Sequence, residues 1–240
     1  MSRPANAVAA ALLAFAVAGC ATTEQKSATI AKRLAHDRAD ASSTRIAATS
    51  RTIRVLSAQI ERSASGTAAA LELENTSAAP RANVPILISV SDSAGKTLFT
   101  NATVGTSTPS GELSLIGAHA TIWWVDANVL VGSGTPVHVS ARVGEGIAAP
   151  AQATALTTTS LSAGSNFVGP FIAGRALDDG GAQSDVTVYA VALSGERVIA
   201  AGQSLLPTLA GHASSPFQVS VIGSPKGGLL EVTGAPAHLG

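Results

Sequence analysis

The residue types that perform catalysis are present in this chain, but they do not stand at catalytic spacings. The five histidines are far apart, and none has a second histidine, a cysteine or a carboxylate at the spacing of a zinc site. Neither a Gly-x-Ser-x-Gly elbow nor a His-Glu-x-x-His motif occurs. Spacing alone leaves a triad of scattered Ser, His and Asp residues open. We expect a protein without catalytic residues, without a cofactor and without a metal site.

Two short stretches are similar to ligand-binding loops. Gly95-Lys96-Thr97 spells the end of a phosphate-binding loop, but Val90 stands where that loop needs its earlier glycine. We therefore expect a hairpin turn at Gly95. Asp178, Asp179 and Asp185 bracket a Gly-Gly turn and could offer oxygens to calcium. Polar turn chemistry explains these aspartates as well and is the interpretation we favour.

Cys20 is the only cysteine among 240 residues, and the stretch that it ends has the order of a secretory signal. Arg3 gives a basic start, Ala7 to Val17 is an unbroken apolar run of eleven residues, and small residues follow. Eleven helical residues are too few to cross a hydrocarbon core of about 30 Å. A secreted chain that used a cysteine for packing or disulfides would place it in the fold.

The motif Val17-Ala18-Gly19-Cys20 resembles the lipobox of bacterial lipoproteins. The resemblance implies a signal peptide over residues 1–19, cleavage between Gly19 and Cys20, and lipid chains such as palmitate on Cys20. Two or more acyl chains anchor a protein stably, so we expect an extracytoplasmic, membrane-anchored protein. Ala21, rather than an aspartate, follows Cys20, which favours the outer membrane in a cell with two membranes. An ordinary signal peptide with a chance cysteine is the alternative.

Composition favours strands and tight turns. The chain is 46% hydrophobic, 12% charged and 3% aromatic, with 23 Gly and 11 Pro. The net charge is zero, so no nucleic-acid partner is indicated. Residues 20–51 are Ala-rich and basic, which predicts a partly helical tether. Its Lys and Arg side chains could rest on anionic headgroups, and a solvated spacer is the simpler alternative.

From Thr52 onward, apolar and polar residues alternate along the chain. The apolar residues Val84, Ile86, Ile88 and Val90 fall on one face of a strand, and turn signals recur every eight to twelve residues. The pattern then repeats: residues 185–193 match residues 83–91 at an offset of 102, and Gly195 matches Gly95 at an offset of 100. We predict an all-β fold with two tandem antiparallel β-sandwich domains, at 52–147 and 152–240.

The second domain contains Gly169 to Gly174, Asp178 to Gly181, a Gly195-Glu196 hairpin, and Ala210 to Phe217. This order resembles the small immunoglobulin-like modules of bacterial surface lipoproteins, particularly the FxLYD-type domains, although the Phe-x-Leu-Tyr-Asp signature itself is absent. The resemblance implies immunoglobulin-like sandwiches that act as binding or spacer units. No functional residue of that family is carried over.

Trp123 and Trp124 are the most suggestive aromatic pair. Adjacent strand residues point to opposite faces, so one indole should enter the core and the other should meet solvent. His119 to Trp124 lies 93 residues before His212 to Phe217, which pairs Trp124 with Phe217 and makes Trp124 the core residue. Trp123 is then the predicted partner contact. Cover by a loop or by the other domain is the alternative.

These observations predict a non-enzymatic, lipid-anchored cell-envelope protein. It would act through its β-domains as a protein-binding, accessory or spacer module, with the membrane and an envelope protein as partners. The alternative is a surface binder of a small molecule, a glycan or a cell-wall polymer, which a cleft between the domains would favour. The sequence does not indicate an oligomeric state.

Overall fold

The structure is a computed structural model that describes residues 46, 48–102, 111–150, 156–178 and 180–236. All regular secondary structure in these ranges is β-strand, as the composition predicts. The predicted signal peptide and lipobox, and most of the predicted tether, lie outside the described residues.

Fifteen strands occur in the described residues. The first eight are β1 Ile53–Ser63, β2 Gly66–Asn75, β3 Arg81–Ser91, β4 Thr97–Thr100, β5 Glu112–Ile116, β6 Thr121–Asp126, β7 His138–Val143 and β8 Ile147–Ala148. The other seven are β9 Thr157–Ser165, β10 Pro170–Leu177, β11 Gln183–Ser194, β12 Arg197–Leu209, β13 Ser214–Ser220, β14 Ile222–Gly223 and β15 Leu229–Ala235. All pairs between these strands are antiparallel, and none joins β1–β8 to β9–β15.

The two halves of the chain use the same strand order. A three-stranded sheet β1-β2-β6 in the first half corresponds to β9-β10-β13 in the second. The long strand β3 pairs with β4, β5, β7 and β8, and β11 lies between β12 and β15. Asn101 spans the gap between β4 and β5, because its side chain accepts from the Ile88 N–H at 2.9 Å and donates to the Ile86 carbonyl at 3.0 Å.

Left-handed backbone angles recur at matching positions of the two halves. Asn83 and Asp185 have φ angles of 50° and 53°, and His119 and His212 have 52° and 54°. Such angles are uncommon for residues other than glycine. Their recurrence at the positions that the sequence pairs supports the predicted internal repeat.

The larger hydrophobic core continues from one half into the other. It joins Leu71, Ile86 and Trp124 of the first half to Tyr189 and Val191 of the second. Alanines on β2 let the sheets approach closely: Ala68, Ala69 and Ala70 are each 0% exposed, so both faces of this strand are covered. The sheet β1-β2-β6 therefore lies between the β3 sheet and the β11–β12 sheet. A second, smaller core fills the sandwich of the second half around Ile172, Val188 and Phe217.

Candidate functional site

Trp123 is buried, so the expectation that it faces solvent is wrong, and the alternative of cover by the other half is what the structure shows. Its side chain is 4% exposed, and its indole Nε1 donates a hydrogen bond of 2.8 Å to Glu231 Oε2 in the second half. Trp124 is 1% exposed and belongs to the core, as predicted. The alternation was interpreted correctly, but the face opposite the core is covered by the second half. In this structure the contact of Trp123 is therefore intramolecular.

The side-chain amide of Gln59 on β1 also joins the halves. Gln59 Nε2 donates to the Glu196 carbonyl at 2.8 Å, and the Val198 N–H donates to Gln59 Oε1 at 2.8 Å. These two hydrogen bonds let the amide of one side chain pair with the backbone of the other half. They fix the Glu196 turn against β1.

Acidic groups gather beside Trp123. Burial raises the pKa of Glu72, and the charges of Glu231 and Glu196 raise it further. Glu72 stands opposite Trp123 in the β2–β6 pairing, so these carboxylates meet where the halves touch. Burial and these two neighbouring charges therefore disfavour the ionised form of Glu72 in the folded protein.

Tyr189 closes the first-half core from the second half. It is 4% exposed, and the side chains of Trp124 and Thr187 hydrogen-bond to its phenol. Burial raises the pKa of Tyr189, so the hydroxyl stays protonated throughout the physiological range. Burial likewise raises the pKa of nearby Asp126. Tyr189 thus packs between the halves, whereas Asp126 accepts from the Asn128 N–H of its own half and has a buried Oδ2 without a hydrogen-bond partner.

The three histidines of the described residues and the Gly95 segment occupy turns and strand ends. His119 and His212 are exposed residues of corresponding turns, and His138 begins β7. Asp92 Oδ1 accepts from the Ala94 and Lys96 N–H groups at 2.9 Å each. Gly95 therefore lies in the hairpin turn between β3 and β4 that the sequence predicts.

The aspartates that bracket the Gly-Gly turn differ in how deeply they are buried. Asp178 is 5% exposed directly after β10, and Asp185 is exposed within β11. Asp179 lies outside the described residues. Among the residues that the structure describes, no three His, Cys, Asp or Glu side chains are grouped closely enough to hold a metal ion together.

The most exposed aromatic side chain of the described residues is at the apex of the β9–β10 hairpin. Phe167 is fully exposed and Val168 is 69% exposed. Asn166 and Gly169 exchange backbone hydrogen bonds of 3.0 and 3.1 Å, and Asn166 Oδ1 accepts from the Val168 N–H at 2.9 Å. Neither Phe167 nor Val168 has a positive φ angle, so this turn is compatible with most residue types and does not itself require an apolar pair. We call residues 166–169 the apolar apex.

Sequence reasoning missed the apolar apex, although a signal was available. Phe167 and Val168 stand between Asn166 and Gly169, which are both turn residues. Apolar residues inside a turn signal have no core to enter, and they are therefore candidates for contact with a partner.

A shallow, open depression of about 350 Å³ lies in the first half, lined by Gly66, Thr67 and residues 129–132. All of these lining residues belong to the first half, and Thr67 carries the only polar side chain among them. The depression therefore lacks the convergent polar groups of a small-molecule site.

The predicted lipidation site Cys20 and the cleavage position after Gly19 lie outside the described residues. Within the described ranges no helix is long and apolar enough to cross a membrane. No protein-family model matches the chain, and no curated protein matches it significantly.

Proposed function

We propose that this chain is a lipid-anchored cell-envelope protein that is not an enzyme. It binds an envelope protein, or holds one in place as an accessory or spacer module, through its β-domains. The lipobox at residues 17–20 supports the anchor. The single observation that carries protein binding is the full exposure of Phe167 at the apolar apex.

We further propose that residues 52–147 and 152–240 are two immunoglobulin-like domains of one repeat. The shared strand order and the matching left-handed angles support this division. The core that crosses between the halves supports a spacer, because a continuous apolar core and the Trp123–Glu231 hydrogen bond resist bending between the domains. A stiff spacer holds the apolar apex in a fixed orientation.

The apolar apex is suited to an apolar pocket on a partner. Phenylalanine is enriched at interface cores, and burial of its ring stabilises a contact by about 1.5–3 kcal/mol. The hydrogen bonds of Asn166 hold the apex in one conformation before binding, which lowers the entropy cost of association. Exposed Phe167 and Val168 are thus presented as a rigid pair.

The test is photocrosslinking in living cells. A benzophenone amino acid replaces Phe167 in the full-length, lipidated protein, and a second chain carries it at exposed Thr159 on β9. We expect one recurrent envelope protein to crosslink at position 167 and not at position 159. Recovery of glycan or cell-wall fragments instead would support the alternative function, a surface binder of a glycan or a cell-wall polymer. Equal crosslinking at both positions would contradict specific binding at the apolar apex.

The anchor is tested separately with an alkyne analogue of palmitate. The wild-type protein should incorporate the label, and Cys20→Ala, which removes the only cysteine, should not. Equal labelling of both chains, or none in either, would remove the anchor from the proposal.

A further inference from the structure

Strand β9 forms one edge of the sheet β9-β10-β13, and it lacks the residues that normally keep a sheet edge from pairing. An edge strand exposes backbone N–H and C=O groups that can bind another strand, and most proteins block such pairing with charged side chains or proline. Residues 157–165 read Thr-Thr-Thr-Ser-Leu-Ser-Ala-Gly-Ser and contain neither. The edge is therefore open to a further strand.

The other edge strands of five or more residues in the described part of the chain are all protected. Each contains at least one charged residue or proline, namely Arg54 in β1, Glu112 in β5, Asp126 in β6, Arg142 in β7, Pro207 in β12, Pro216 in β13 and Glu231 in β15. This contrast identifies β9 as the edge that is suited to pairing.

The hairpin bonds show which backbone groups of β9 face the free edge. Asn166 and Gly169 exchange backbone hydrogen bonds at the end of the hairpin. In an antiparallel ladder such pairs alternate with pairs whose N–H and C=O groups point outward. Ser165 and Ala163 therefore direct these groups away from β10, and both residues are exposed. No strand of the described ranges pairs with β9 on that side.

The free edge begins at Leu161, because the first part of β9 turns toward the other sheet of the second half. Ser160 has a left-handed φ angle of 55°, and the register against β10 shifts at this point. Before this bulge, the Thr158 hydroxyl donates to the Val232 carbonyl of β15 at 3.2 Å. Residues 161–165 are thus the part of β9 that can accept a new strand.

We propose that residues 161–165 pair antiparallel with the same residues of a second copy of this chain. Identical edges that pair about a two-fold axis bring each residue to its own counterpart or to one equally far beyond the axis. With the axis at Ala163, the two Ala163 residues face each other and Leu161 faces Ser165. A charge beside the axis would meet a like charge, so self-pairing requires an uncharged strand. A partner of different sequence imposes no such requirement, because it can match a charge with its opposite.

The pair is small and presents the apolar apex twice. Five residues from each copy make a weak interface between free molecules. Attachment to one membrane raises the local concentration and favours the pair, and only this point rests on the proposed anchor. Phe167 lies four residues from Ala163, so the two apexes stand roughly 25 Å apart. A partner with two suitably spaced pockets would bind the pair more tightly than a single apex.

Disulfide trapping of the full-length protein in intact cells tests the pairing. Residues that form a hydrogen-bonded antiparallel pair have Cα atoms about 5.5 Å apart, which suits a disulfide. Ala163→Cys should therefore give a covalent dimer of this chain on a non-reducing gel after mild oxidation. Gln218→Cys is the matched control, because it is exposed on β13 at the opposite edge of the same sheet and should stay monomeric. Wild type reports any dimer linked through Cys20.

Ala163→Lys gives a second readout, because it places two like charges at the axis. Sedimentation equilibrium of the purified protein in detergent should show a dissociation constant of the dimer that is raised roughly tenfold or more. Gln218→Lys adds the same charge on the opposite edge strand and should leave the dissociation constant unchanged. Equal Tm values for both variants would show that the added charge does not disturb the fold.

These variants leave the apolar apex unchanged, so failure of the pairing and failure of partner binding at Phe167 are separate results. A second copy captured by the photocrosslinker at Thr159 has the mass of this chain, which distinguishes it from an envelope protein of another sequence. The proposal is overturned if Ala163→Cys gives no more dimer than Gln218→Cys, or forms a disulfide with a different protein instead. It is also overturned if Ala163→Lys associates as wild type does, or if wild type stays monomeric up to about 1 mM.

Discussion

Trp123 Nε1 and Glu231 Oε2 are joined by a hydrogen bond of 2.8 Å that connects β6 of the first half to β15 of the second. The bond satisfies the only polar atom of a nearly fully buried indole. It also holds one of the carboxylates that raise the pKa of Glu72. The packing of the halves thus combines apolar burial with one charged acceptor.

Trp123→Phe tests this connection, because it keeps an aromatic ring and removes the N–H. We expect a loss of about 1–3 kcal/mol in the free energy of unfolding, since a hydrogen bond to a charged group is lost. Urea denaturation followed by circular dichroism measures the change. Glu231→Gln retains an acceptor and should cost less. An unfolding curve for Trp123→Phe that overlays the wild type would show that the bond contributes nothing.

Much of the fold could be predicted from alternation. Val84, Ile86, Ile88 and Val90 are all 0% exposed, because a strand with one covered face buries every second residue. The paired turns at His119 and His212 could be found because the same residue type recurs there. These features depend on neighbours along the chain, which the sequence displays directly.

The cover on Trp123 was only one of two alternatives that the sequence left open. Periodicity says which residues share a face of a strand, but it does not say what packs on the second face. The burial of Ala68 and Ala70 together with Ala69 gives the only local sign, since a strand with three small apolar residues in succession suits two covered faces.

Glu72→Gln should stabilise the protein near neutral pH. Burial holds the folded-state pKa of Glu72 above its ordinary value of 4.5, so the folded chain binds a proton more tightly than the unfolded chain. The free energy of unfolding therefore falls as pH rises from 4.5 through the folded pKa, and the full cost is present above it. Tm measured across this range should show a gain for Glu72→Gln that vanishes below about pH 4. Glu74→Gln on the same strand is the matched control, and an equal gain in both variants would contradict a cause specific to Glu72.

Glu145→Gln should have the opposite pH dependence. Hydrogen bonds from Ser50 and Thr52, with the Arg51 N–H and Arg81 nearby, lower the pKa of Glu145 to about 2. A lowered pKa contributes stability that is complete above 4.5 and is lost as pH falls toward 2. We expect Glu145→Gln to lower Tm modestly near neutral pH, because the carboxylate is partly exposed, and to match wild type near pH 2. A gap between the two chains that stays constant with pH would contradict the ionic origin.

His119→Gly and His212→Gly should each stabilise the protein by up to about 1 kcal/mol. Left-handed φ angles cost a residue with a side chain about 1–2 kcal/mol, and the greater freedom of glycine in the unfolded chain offsets part of the relief. Both variants should shift urea denaturation equally, because their φ angles are 52° and 54°. His138→Gly in β7 is the control and should destabilise. Loss of stability in both turn variants would mean that the imidazoles make contacts that matter more than the strain.

Gly202→Ala should destabilise more than any of these changes. A Cβ at Gly202 would lie 2.1 Å from the Ser220 carbonyl oxygen and 3.0 Å from the Val221 Cα, and both are backbone atoms. Ser220 and Val221 lie where the chain leaves β13 for β14, so relief would require the two sheets of the second half to separate. Overpacking of this kind costs about 1–3 kcal/mol and more where backbone must move. Gly132→Ala is the matched control, because a Cβ added there would meet no atom within 4 Å. Urea denaturation that shows equal stability for both variants would mean that the β13–β14 crossing yields easily, and that the close approach of the sheets at Gly202 is not a fixed feature of the fold.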